Sequence, residues 1–315
     1  MAYRFRCKES VQSGYRRIVR RQIDKAVTYL APASEGESPP DADPHEPPDR
    51  HEAVHEARKC FKKIRAALRI VRPSLGDVYA EKNAWFRDVA RSLSRVRDAE
   101  ALIETLDALR KAFDGEVDGD VFDPVREALV ARRQRIADED VDLEARLAEV
   151  VRQLGEARQR VGSWSLSDDG FEALAGGVRK TYGRGRDAMA AAATDPKPEH
   201  FHEWRKRVKY HRYHMDMLRS LWPKVLDAWR DSLHDLTDHL GDNHDLDVLR
   251  DTLLVEPELA RGERRRQTLL GLAGRRQKQL QRDAHALGRR VYAEKPKRFT
   301  DRLAAYWDAW KADGA

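Results

Sequence analysis

The segment His51–Arg72, HEAVHEARKCFKKIRAALRIVR, decides how the chain is read. Set on an α-helix, His51, His55, Arg58, Lys62, Arg65, Arg69 and Arg72 follow one another at alternating steps of four and three. Residues at that spacing are neighbours on a helix surface, so the seven side chains share one face. From His51 to Arg69 the row would run ~27 Å at ~1.5 Å per residue. Like charges so placed repel by a few tenths of a kcal/mol per pair on an exposed helix. A sequence that repeats this cost along a whole helix is expected to hold something anionic. A solvated basic face is the bland alternative.

Working outward, the 315 residues carry 60 Lys/Arg and 54 Asp/Glu, so the net charge of +6 conveys little and the distribution conveys more. Residues 51–72 hold seven Lys/Arg against Glu52 and Glu56, whereas residues 114–149 hold twelve Asp/Glu against five Arg. Positive charge is concentrated locally, as a defined anion site requires. A hydrophobic content of 41% with 36% charged residues suits a folded protein of amphipathic helices and excludes a disordered chain. Cys7 and Cys60 cannot staple a chain of this length and flank different helices, which points to a reducing compartment. The N-terminus MAYRFRCKES has no apolar leader and no run reaches membrane-spanning length, so the cytoplasm is the expected location.

Helical periodicity recurs throughout and no segment alternates as a strand, so the predicted class is all-α. Helices are expected over about 10–30, 51–72, 78–113, 123–161, 171–193, 198–218, 224–254, 258–292 and 298–310. Residues 31–50 (APASEGESPPDADPHEPPDR) read as a flexible Pro-rich loop, and 162–170 as a boundary between two units, 1–161 and 162–315.

An internal repeat carries the most weight. His55, Arg58, Lys62 and Arg65 match His202, Arg205, Lys209 and Arg212 at a constant offset of 147, which also carries Leu93 onto Leu240 and Asp98 onto Asp245. Gly14-Tyr15-Arg16-Arg17 pairs with Gly177-Val178-Arg179-Lys180 at offset 163, and the 16-residue difference fits within the loop 31–50. The reading is a duplicated unit of about four helices. Each copy presents H-x-x-R-x-x-x-K-x-x-R on its second helix and an Asp late on its third. Packing explains a repeated Leu. It does not explain cations returning in register on a face where they repel.

At these residues the chain resembles the conserved histidine α-helical domain (CHAD) family. The resemblance rests on HEARKCFKKIRAALRIVRPSLG (55–76), the segment Asn83–Leu102, FHEWRKRVKYHRYHMDML (201–218) and LGDNHDLDVL (240–249), and it extends from about residue 8 to about 290. It implies two four-helix bundles related by pseudo-twofold symmetry, together one CHAD domain, with inorganic polyphosphate bound in a basic cavity between them. Some members are fused to a CYTH triphosphatase-type domain. No Glu-x-Glu-x-Lys signature occurs here, so a stand-alone, non-catalytic binder is expected, with polyphosphate granules as a place of association. Two positions depart from strict repetition: Ser94 faces Gly241 in the alignment, and Arg97 faces His244.

The expected primary contacts are Arg58, Lys62, Arg65 and Arg69 with Arg205, Lys209 and Arg212. Arg offers forked donors to phosphate oxygens and Lys a point charge. Lys59, Lys63, Lys206, Arg16, Arg20 and Arg179 are expected contributors. His55 and His202, at the head of each stripe, could donate when protonated, and a polyanion would raise their pKa. Asp98 and Asp245 are expected to orient an Arg. No cofactor or metal is expected. His51-Glu52-x-x-His55 matches the zincin pattern, but the second copy has Pro198 in place of His51 and the following cations would repel Zn²⁺. His234, His239 and His244 with nearby aspartates suggest a metal-dependent phosphohydrolase, but steps of five do not share a helix face. Nucleic-acid binding is the runner-up, and the stripes lack the aromatic interleaving that base stacking uses.

Overall fold

The computed structural model describes residues 3–35, 50–93, 95–139 and 142–314, with backbone alone for 32–35, 50–51 and 95–98. Among them every regular element is helical: α1 (Val11–Glu35), α2 (Arg50–Ile70), α3 (Arg72–Leu75), α4 (Val78–Ser92), α5 (Arg95–Ala112), α6 (Asp123–Glu139), α7 (Leu143–Arg160), α8 (Glu172–Thr194), α9 (Pro198–Leu218), α10 (Pro223–Val255), α11 (Glu263–Val291) and α12 (Pro296–Asp313). α9, α10 and α12 each begin on a proline, which lacks a donor the first turn would leave unbonded in any case. None of the described helices is long and apolar enough to cross a membrane.

Two helices place the basic stripes. On α2, Ala53, Ala57, Phe61, Ile64 and Leu68 are buried, so the cations three or four positions apart sit on the flank beside the core face. On α9 the buried row is Phe201, Trp204, Val208, Met215 and Leu218. α1 packs between α2 and α7, α9 packs between α8 and α10, and α2 meets α9 and α8 directly. The approach of α8 to the end of α2 depends on one residue. A Cβ on Gly177 would stand 2.0 Å from the carbonyl oxygen of Ile70, closer than any side chain can come.

Two apolar cores result. The larger takes residues from α1, α2, α4, α7, α8, α9, the first half of α10, the end of α11 and α12. The smaller joins Leu102, Leu106 and Leu109 of α5 and Val125 and Leu129 of α6 to Leu246, Leu249 and Leu253 of α10 and Leu269 and Leu280 of α11. Both cores draw on residues from before and after position 162.

Three helix boundaries differ from the sequence reading. The single helix expected over 78–113 is broken after Leu93, whose backbone (φ −106°, ψ 21°) has left the helical region and whose N–H bonds to the Arg91 carbonyl. The break lets α4 lie on α2 while α5 turns to α6, α10 and α11. The helix expected over 123–161 is likewise two, because α6 serves the smaller core and α7 the larger. By contrast α10 and α11 are continuous and span both cores. Within the expected loop 31–50, α1 runs on past Pro32 to Glu35, and residues 36–49 lie outside the described residues. Cys7 and Cys60 are free thiols.

Candidate functional site

The two stripes meet. His55, Arg58, Lys62, Arg65 and Arg69 of α2 face His202, Arg205, Lys206 and Lys209 of α9 across a cleft of about 790 Å³. Arg87 and Arg91 of α4 close one side, Ala101, Leu102 and Thr105 of α5 another, and His244, Asp245 and Val248 of α10 a third. Arg207, Tyr210 and Tyr213 complete the α9 wall. Among the described residues the lining thus holds ten Lys/Arg side chains and one carboxylate.

Several of these guanidiniums are oriented by neutral oxygens, which fix direction and leave the charge in place. Arg58 donates to the Ala90 carbonyl at 2.6 Å, and Arg65 to the side-chain oxygen of Asn83 at 3.3 Å. Arg69 donates to the hydroxyl of Tyr79 and, at 3.4 Å, to that of Tyr210, while its guanidinium lies 4.1 Å from the centre of the Tyr210 ring. Arg205 lies 3.8 Å from Asp245, the one acid among the described lining residues. The Nε atoms of Arg69 and Arg205 are buried donors with no acceptor, a costly state. Lys206 and Arg207 share Glu203, at the cleft edge.

Crowding of cations shifts their equilibria. Lys209 is pushed down to about 6, first by burial and then by Arg205 and Lys62, with Asp245 opposing. Burial also lowers Arg205 and Arg65. His244 is pushed down to about 3 by burial, then by Arg205, His202 and Lys209. His202 is lowered by burial and by Lys206 and Arg205. The two imidazoles touch, Nδ1 to Nδ1, at 3.3 Å, with ring centres 4.4 Å apart.

Six residues named from the sequence lie outside this lining. Lys59 pairs with Glu56 at 2.5 Å, and Lys63 sits 5.8 Å from the centre of the Tyr3 ring. Arg16 donates to the Trp164 carbonyl at 3.2 Å, and Arg20 reaches the backbone at Gly162. Arg179 is exposed on α8, and Arg212 lies over the Tyr213 ring at 5.1 Å. The side chains of His51 and Asp98 lie outside the described residues.

Other lining residues were not named from the sequence. Arg87 and Arg91 follow Asn83 at steps of four, a visible signal that the stronger α2 row masked. His244 falls outside the repeated pattern, since the matching position in the first copy is Arg97. Beyond Arg69 and Tyr210 a small second cavity is lined by Arg72, Lys180, Arg184 and Arg207 together with Tyr79. Nothing but the meeting of α8 with α2 brings Lys180 and Arg184 there. His234 pairs with Asp238 at 2.8 Å on the surface, away from His244. Among the described residues no three His, Cys, Asp or Glu side chains are grouped so as to hold a metal ion.

Fold and site define an all-α protein in which two helices, far apart in sequence, bring cations to a shared cleft. The chain belongs to the CHAD domain family, whose model matches residues 41–254. Its structure is similar to that of the CHAD domain from the plant Ricinus communis, at 16% identity and a TM-score of 0.62, covering 93% of this chain and 95% of that one. At this identity the likeness is one of fold. No curated protein matches the chain.

Proposed function

We propose that the cleft binds inorganic polyphosphate and holds it without turnover. The observation that carries this reading is the lining itself: ten Lys/Arg side chains facing one carboxylate, drawn from α2, α4 and α9. A linear polyanion with neither base nor sugar needs only a row of charges and donors, which two facing stripes supply. Arg65 and Arg69, steered by an amide and by phenols, would offer N–H groups to phosphate oxygens with full charge.

The aromatic side chains favour polyphosphate over nucleic acid. Base stacking needs an open ring face. The Tyr210 ring is covered by Arg69, and Tyr213 is buried edge-on to Tyr3 beneath Arg212. The reading without turnover rests on Asp245, the one carboxylate among the described lining residues, which stands against Arg205. On this reading the protein would associate with polyphosphate granules in the cytoplasm.

Titration with long-chain polyphosphate across a salt series tests the proposal. Affinity should fall steeply as salt rises, because each phosphate contact releases counterions. Polyphosphate should displace RNA at equal phosphate concentration. Displacement in the opposite direction would assign the cleft to nucleic acid, and phosphate release with added Mg²⁺ or Mn²⁺ would make the protein a phosphohydrolase.

A further inference from the structure

The end of the cleft between α9 and α10 holds a pair of imidazoles that cannot both become cations in their present arrangement. His202 and His244 meet Nδ1 to Nδ1 at 3.3 Å, so one nitrogen donates and the other accepts. A single added proton can be taken by an outer nitrogen of the pair. A second would set two N–H groups against each other. Lys209 stands on the same face of α9, two turns along from His202, where Arg205 and the Lys62 ammonium of α2 crowd it.

We propose that polyanion binding is coupled to proton uptake by His202, His244 and Lys209, so that the cleft holds its ligand more tightly as pH falls. The inference rests on the cleft binding a polyphosphate. The charges facing these three groups set the direction. From α9 they are Arg205, Lys206, Arg212 and the carboxylate of Glu203; from α2, His55, Arg58 and Lys62. Arg87 and Arg91 add positive charge from α4, while among its described side chains α5 contributes Ala101, Leu102 and Thr105 to the lining. From α10 come Asp245 and, behind it, Asp242. Cations dominate this set, so with no anion bound the two imidazoles and the Lys209 amine favour their neutral forms at neutral pH. A phosphate chain laid along the cleft reverses the local potential, and Lys209 and one imidazole of the pair then favour the protonated state. His244 is thereby a ligand-sensing residue, although it lies outside both basic stripes.

The experiment is calorimetric titration of the full chain with long-chain polyphosphate, whose titrating terminal groups are few, at pH 7 in buffers of low and high ionisation enthalpy. The dependence of the observed heat on the buffer counts protons. Uptake of roughly one to two protons per site is expected, with affinity falling up to about tenfold per pH unit for each proton. Lys209→Arg, which keeps its charge throughout this range, should lower the count by about one. His202→Asn combined with His244→Asn should remove the remainder. Binding with no net uptake would overturn the inference while leaving the polyphosphate reading intact, and a count unchanged in the variants would overturn its assignment to these residues. Failure of the wild-type protein to bind polyphosphate would overturn both. The wild-type buffer series needs no variant to fold.

Discussion

His211 and His214 sit on α9 a few residues beyond the cleft stripe, and both are wholly buried. Neither ring nitrogen of His211 has a partner, and the ring packs against Tyr182, Tyr292 and Phe299. His214 donates through Nε2 to the Ala66 carbonyl of α2. Burial pushes both down to about 3, with His214 adding to the effect at His211, while at His214 the bond to Ala66 opposes it and Arg69 adds to it. The neutral ring is the stable form in the fold. The stabilising share of these groups is therefore complete above the free-histidine value near 6.5 and is lost as pH falls towards 3. At the acid limit each opposes folding by at most about 5 kcal/mol. His211→Phe should leave stability at pH 7 within about 1 kcal/mol of wild type, since an apolar ring leaves no buried nitrogen unbonded. It should also move the acid-unfolding midpoint to lower pH. Thermal melts between pH 4 and 7 would check both, and a large loss at pH 7 would mean a ring nitrogen holds a partner.

Among the elements, α2 and α9 do the same work from opposite sides of the cleft. Replacing Arg58, Lys62 and Arg65 with Ala should weaken polyphosphate binding and leave the circular dichroism spectrum helical. The slope of log affinity against log salt should drop by roughly 0.7–0.9 for each cation that contacts phosphate. Adding Arg205, Lys209 and Arg212 to the set should abolish binding. Unchanged affinity in the sixfold variant would place the site elsewhere. α8 is a positioning element, and Gly177→Ala should cost about 1–3 kcal/mol in chemical denaturation, because the added methyl meets the Ile70 carbonyl. A neutral outcome would mean that α8 can slide from α2 at no cost.

At the scale of the whole molecule, the cleft is walled by helices that feed both cores, so ligand binding and global stability should be linked. Polyphosphate at about 100 times its dissociation constant should stabilise the fold by about 2.7 kcal/mol, read as a rise in melting temperature that shrinks with added salt. No rise at any salt concentration would separate the ligand from the folded cleft. The unequal treatment of the third and fourth helical segments also belongs to this scale. Leu93, Val125 and Leu147 are apolar at helical spacing and could be read only as core positions. Which core each enters is decided by helices distant in sequence, and that choice splits α4 from α5 and α6 from α7.

The amino-acid sequence by itself determined the helical class and the two stripes His55–Arg69 and His202–Arg212. Period and repetition are local properties, written in which residue follows which. Only the tertiary structure decided that the stripes face each other and that Arg87, Arg91 and Arg207 join them. It also turned Arg16, Lys59 and Lys63 to other partners and set His244 against His202. Such meetings depend on how closely helices pack and on the one glycine where α8 touches α2, and neither follows from the spacing of charges along a chain.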